Sequence, residues 1–171
     1  FPVSTALTGG ERVERIELLG TSPSYFDMLR AKPALGHAYT QADWVPGFLD
    51  GAVISDALWK RQFGGDPNVI GKRIRVDEDG YTIIGVMPPD FRHPGKGLSG
   101  DVEIWLAAGC VAAPFPVPPV RSGFFLPGAI GRLKPGLSIK EAQQRLDAFV
   151  RQSQQSYPND YPSQSRWELR I

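Results

Sequence analysis

Ala52-Val53-Ile54-Ser55-Asp56-Ala57-Leu58-Trp59-Lys60-Arg61-Gln62-Phe63-Gly64-Gly65 is the stretch from which the fold is read. Its first three residues form a short apolar run of the kind found in buried strands. Ser55 stands where a helix N-cap belongs, because its hydroxyl can accept a hydrogen bond from one of the free N–H groups of the first turn. Trp59 and Phe63 are an i, i+4 pair on one helical face. Together these signals predict a helix over about Asp56 to Phe63, with both rings buried against the preceding strand and a following hairpin. Gly64-Gly65 ends it in the left-handed manner that glycine adopts without steric cost.

Outward from this block the pattern continues on both sides. Lys72 to Asp77 alternates, with Ile74 and Val76 on one face and Arg73, Arg75 and Asp77 on the other. Asp79-Gly80 is a hairpin turn signal, and Tyr81 to Met87 returns as the partner strand before Pro88-Pro89. Upstream, Phe1 to Gly10 reads as loop and Arg12 to Gly20 as a strand. Ser22-Pro23 opens a short helix with Tyr25, Phe26 and Leu29 on its buried side. Downstream, Asp101 to Leu106 alternates and Gly128 to Leu133 is a further strand candidate. Ser138 and Glu141 form a capping box. An apolar stripe of Ile139, Ala142, Leu146, Phe149 and Val150 follows, to about Ser156. Arg166 to Ile171 alternates again. Strands, helices and hairpins mix without a regular strand–helix beat, which points to the α+β class.

Composition excludes several functions. The 19 basic and 18 acidic residues give a net charge of +1, with no clustered basic face for nucleic acid and no polybasic run for anionic lipid. Cys110 is the only cysteine, so no intrachain disulfide forms, and a buried thiol is its ordinary role. The long uncharged run 104–120 contains four prolines and cannot be a spanning helix.

Chemistry is sparse. The two histidines, His37 and His93, form no zinc-spaced set with Cys110. Gly65 to Lys72 imitates a phosphate-binding loop but has one residue too many between its glycines. Pro67 also removes a backbone donor, and Arg73 stands where a magnesium-binding hydroxyl is required. ATP binding and hydrolysis are therefore not expected. Asp77-Glu78-Asp79-Gly80 lacks the alternating ligands of a calcium loop. No catalytic residue, cofactor or metal site is assigned.

Two segments nevertheless form a specific pattern. One is Thr21-Ser22-Pro23-Ser24-Tyr25-Phe26-Asp27-Met28-Leu29, followed by Lys32-Pro33-Ala34-Leu35-Gly36-His37-Ala38-Tyr39-Thr40. The other is Ala52 to Pro67, running on through Ile70-Gly71-Lys72 and Tyr81-Thr82-Ile83-Ile84-Gly85-Val86-Met87-Pro88. With Gly131-Arg132-Leu133-Lys134-Pro135-Gly136, their order and spacing resemble the periplasmic core domain of MacB-type ABC transporter permeases, above all the acidobacterial group of orphan permeases. The resemblance covers about Gly10 to Tyr157.

It implies a non-catalytic, extracytoplasmic (periplasmic) domain of an inner-membrane permease, acting in export by mechanical coupling or by contact with partner proteins. The implied partners are the transmembrane helices and cytoplasmic ATPase of the same transporter, with a second permease copy or a periplasmic adaptor beyond them. An extracytoplasmic ligand-binding sensor is the alternative. The implied architecture has two lobes, a porter-like α/β lobe and a small inserted α+β lobe of the Sabre type. Residues 1–43 and 125–171 are expected to form the first, discontinuous lobe, and 44–124 the second. The proline-rich stretch Val111 to Leu126, whose one charged residue is Arg121, carries Phe115, Phe124 and Phe125, which make a candidate interaction patch on the principle that monomers seldom leave large apolar areas bare.

Overall fold

The computed structural model describes residues 2–8, 12–40, 50–94, 101–107 and 129–162. The chain divides into two compact units, Phe1–Pro119 and Val120–Ile171. Helix and sheet are both present, in keeping with the α+β class.

The first unit is built on one sheet. Its strands are β1 (Pro2–Thr8), β2 (Glu14–Thr21), β3 (Leu35–Gly36), β4 (Gly51–Ile54), β5 (Arg73–Val76), β6 (Asp79–Val86) and β7 (Ile104–Ala107). Helix α1 (Tyr25–Leu29) follows β2. Helix α2 (Asp56–Phe63) follows β4, and a 3-10 turn spans Pro67–Val69. The sheet order is β3-β6-β4-β7-β2-β1-β5, and β5 also pairs with β6. That last pairing closes the sheet into a ring, with β3 attached outside it along the far half of β6. β1 is antiparallel to β2, and β2 is parallel to β7. Pro2 therefore lies opposite Leu19, which lies beside Trp105. The start of β1 and the end of β7 reach the same rim of the barrel.

Closure explains the residue pattern. Side chains alternate across a strand, so Leu7, Ile16, Ala52, Ile54, Ile74, Val76, Ile83, Val86, Ile104 and Leu106 all turn inward and pack as one buried cluster. The register of β6 slips by one residue at Ile84, opposite Ala52 and Val53. The slip restores Val86 to the interior after Ile83. Leu58 of α2 and Val69 of the 3-10 turn complete the filling.

Local signals place α2 as expected. Ser55 Oγ accepts from Leu58 N at 3.1 Å, and Gly64 ends the helix at φ 59°. The buried line of the helix differs from the expected one, because Leu58 and Gln62 are buried while Trp59 and Phe63 are half-buried at the margin of the cluster. The Trp59 indole N–H is satisfied by Asp66 O at 2.8 Å.

Other expectations are corrected. Phe1 to Gly10, read as loop, contains β1. The hairpin turns at Asp77-Glu78, two residues before Asp79-Gly80, and Asp77 takes a positive φ of 53°. Asp77 holds this conformation by exchanging hydrogen bonds with β1: its N–H donates to Ala6 O at 2.9 Å and Ala6 N–H donates to its carboxylate at 3.3 Å. Residues 129–133 form no strand, and 166–171 lie outside the described residues. The sheet also runs across the expected lobe boundary. β1 and β2, from 1–43, hydrogen-bond to β5 and β7, from 44–124. Strands so interleaved in one ring cannot belong to separate lobes.

Within the second unit, α3 (Ile139–Ser156) begins with the expected capping box. Glu141 N–H donates to Ser138 Oγ at 3.2 Å, and Ser138 N–H donates to the Glu141 carboxylate at 2.9 Å. Ala142, Val150 and Ser153 are buried, while Ile139 and Phe149 are exposed.

Candidate functional site

The expected interaction patch, Phe115, Phe124 and Phe125, lies outside the described residues, as does Cys110. Among the described residues no group of three His, Cys, Asp or Glu side chains could hold a metal ion. The segment 65–72 that imitates a phosphate loop contains the 3-10 turn, and Lys72 Nζ is ion-paired to Asp66 at 2.7 Å. His37 is exposed.

Two constellations on the barrel unit were not visible in the sequence. The first is aromatic and lies outside the ring. Alternate residues of β2, β4 and β7 that do not face the interior, Leu19, Val53 and Trp105, form its floor. Tyr25 and Phe26 of α1, with Tyr39, Met87 and Val102, cover that floor. Phe26 is the hub: Tyr25, Tyr39, Phe91 and Trp105 surround it at centroid distances of 5.0 to 6.2 Å, three of them edge-on. Edge-on approach sets the positive rim of one ring against the negative face of the next.

The phenol tips of the cluster are both paired. The hydroxyls of Thr21 and Tyr39 bond to each other. Tyr25 Oη meets His93 Nδ1 at 2.7 Å, and the two rings stack at 5.9 Å. The buried Trp105 Nε1 finds no partner of good hydrogen-bond geometry, yet lies near enough to the Tyr25 oxygen to favour its charged form slightly. Burial outweighs that influence and pushes the Tyr25 pKa up to about 12. Burial likewise raises that of Tyr39, so both phenols stay protonated and neither is an activated base.

The second constellation is ionic. Arg61 of α2 forks onto Glu14 of β2, with Nη2 to Oε1 at 2.9 Å and Nε to Oε2 at 3.0 Å, and also bonds Glu103, just before β7, at 2.5 Å. Its hydrogen bonds hold the Glu14 carboxyl below its usual pKa. Beside it, the buried Gln62 accepts from Arg12 N at 3.2 Å. This network ties α2 to β2 and β7, and its one cation is matched by two carboxylates. It is a brace, with no nucleophile next to a base.

Neither constellation had a usable sequence signal. Tyr25 and His93 are 68 positions apart, and Arg61 is 47 from Glu14.

With this geometry in place, the comparisons give the family. The family model described as the MacB-like periplasmic core domain matches residues 1–149. Three solved structures share the fold. One is the periplasmic region of MacB from Actinobacillus actinomycetemcomitans, with 17% identity and TM-score 0.60, covering 88% of this chain and 63% of that one. Another is a domain of a permease protein from Porphyromonas gingivalis, with 22% identity and TM-score 0.57, covering 90% and 67%. The third is the extracellular domain of the noncanonic ABC-type transporter YknZ from Gram-positive bacteria, with 21% identity and TM-score 0.50, covering 62% and 50%. The chain thus spans between half and two thirds of these domains. No curated protein sequence matches it.

Proposed function

The chain belongs to the MacB-like periplasmic core domain family, and from that premise we propose that it serves an ABC-type permease as a non-catalytic module of mechanical coupling and partner contact. The observation that carries this reading is the family match over residues 1–149. The chemistry found on the described residues agrees with it: an aromatic cluster whose phenols are held protonated, and an arginine brace saturated by carboxylates.

The two-lobe architecture is kept in this proposal with its boundary moved. In this reading the closed barrel of residues 1–119 is one lobe and residues 120–171 belong to the other. The domain acts with the transmembrane helices and cytoplasmic ATPase of its transporter, and Phe115, Phe124 and Phe125 contact a second permease copy or a periplasmic adaptor.

The test is made in the intact transporter. Replacing Phe115, Phe124 and Phe125 together by Ser should leave basal ATPase activity in place and lower coupled transport about tenfold or more, the loss expected when apolar hot spots are removed from a contact. Unchanged transport would remove the contact role. Saturable stabilisation of the isolated domain by a small ligand in a thermal-shift screen would favour the sensor alternative.

A further inference from the structure

His93 closes the turn that leaves β6. Met87 is buried in the aromatic cluster, Phe91 N–H donates to Pro88 O at 3.1 Å, and the Phe91 ring packs on Trp105 at 5.4 Å. The last fixed point of the segment is the bond between His93 Nδ1 and Tyr25 Oη. Elsewhere the turn is tied mainly to itself, Arg92 Nη1 donating to Pro89 O and Phe91 O.

The direction of the His93 bond is set by the burial of Tyr25. Tyr25 is 5% exposed, so its proton has little recourse to water, and the partner within reach of its oxygen is His93 Nδ1. The arrangement that satisfies the buried phenol runs from Tyr25 O–H to a neutral His93, whose Nδ1 accepts and whose proton sits on Nε2. A proton on Nδ1 would set donor against donor. We propose that His93 is a proton-operated anchor, pinning the end of the Pro88–Pro94 turn to α1 while neutral and releasing it when protonated.

The surrounding charges leave this arrangement undisturbed. Tyr25 is the titratable group facing the ring from α1, and Trp105 of β7 is uncharged. Tyr39 is engaged by Thr21, and Arg92 and Asp101 form an exposed pair at 3.8 Å. Burial holds the His93 pKa below its usual 6.5. The unfolded chain therefore takes up this proton first. The neutral anchor's contribution is complete above pH 6.5 and is lost as pH falls through the lower folded value.

The experiment follows the His93 imidazole and the amide exchange of Phe91, Arg92 and His93 by NMR on the full chain, between about pH 8 and pH 5. Exchange, corrected for its intrinsic pH dependence, should rise roughly fivefold as His93 titrates, the equilibrium weight of one ordinary net hydrogen bond. Tyr25→Phe keeps the ring and removes the donor. It should give the fast exchange already at the upper pH and move the His93 titration upward. His93→Asn keeps a neutral acceptor and should abolish the pH dependence. Exchange that does not change across the titration, or a titration unmoved by Tyr25→Phe, overturns the proposal.

Discussion

The interior of the barrel and the patch on its outer face are both buried, yet they are built differently. The interior is aliphatic, filled by inward residues of β1, β2, β4, β5, β6 and β7 together with Leu58 and Val69. The outer patch is aromatic, centred on Phe26 and Trp105, and three of its rings end in polar groups, Tyr25, Tyr39 and Trp105. Branched aliphatic side chains fill a narrow ring of converging strands with few polar atoms to satisfy, the buried Thr5 hydroxyl of β1 being an exception. Rings with polar tips suit a surface that joins a helix, a turn and a sheet, because they supply both area and directed bonds. The inner layer fixes the shape of the ring, and the outer one fixes what is attached to it.

Truncation should separate the two most strongly. Phe26→Ala removes the hub of the outer patch and is expected to cost about 3–5 kcal/mol, and Leu58→Ala in the interior about 2–5 kcal/mol. In urea denaturation the two should differ in kind. The interior change should lower the whole cooperative transition, and the outer one should also expose the Tyr25 and His93 region to exchange below that transition. Identical local exchange in both variants would show that the two layers are one cooperative core.

Gly36→Ala tests the seam between them. Gly36 sits at φ 67°, and an added Cβ would stand 2.1 Å from Ile84 O. The backbone conformation alone should cost about 1–3 kcal/mol, with loss of the β3–β6 pairing visible in the exchange of His37 N–H, which donates to Ile84 O at 2.9 Å. A neutral result would mean that β3 is dispensable to the outer patch. Tyr39→Phe should cost about 1–3 kcal/mol, since it leaves the buried Thr21 hydroxyl without its partner. Tyr39→Phe combined with Thr21→Val should recover part of that loss.

The smallest effect belongs to the brace. Arg61→Ala should cost below ~1 kcal/mol, because Arg61 is largely exposed and solvent screens the pair. The sign with pH is fixed. Glu14 has its carboxyl pKa lowered in the fold, so its contribution is present above pH 4.5 and fades as pH falls through the lower folded value. That acid-side loss should shrink in Arg61→Ala. A larger drop would assign the brace a share in holding the ring closed.

What the sequence disclosed follows the range of the interactions. The β4–α2 block and the capping box of α3 were legible because Ser55, Gly64, Ser138 and Glu141 act within one turn of their own backbone. β1 was not, because Pro2, Ser4, Thr5 and Ala6 carry little apolar pattern. Its strand is imposed by ladders on both sides, to β2 and β5. The turn was misplaced by two residues because Asp77 owes its conformation to Ala6, 71 positions away. Trp59 and Phe63 showed which helix forms but not how far it rolls, since closure of the ring draws in Leu58 instead. The outer patch was illegible for the same reason as β1: its bonds join residues from distant parts of the chain.

The shared rim has a consequence for load. The strand that opens the barrel and the strand that closes it are separated only by β2, so their ends stand about two strand spacings, roughly 10 Å, apart. Tension along the polypeptide would pass from Pro2 to Ala107 across the base of the barrel, through the β1–β2 and β2–β7 ladders. The far rim, where Asp77 grips Ala6, would bear almost none of it.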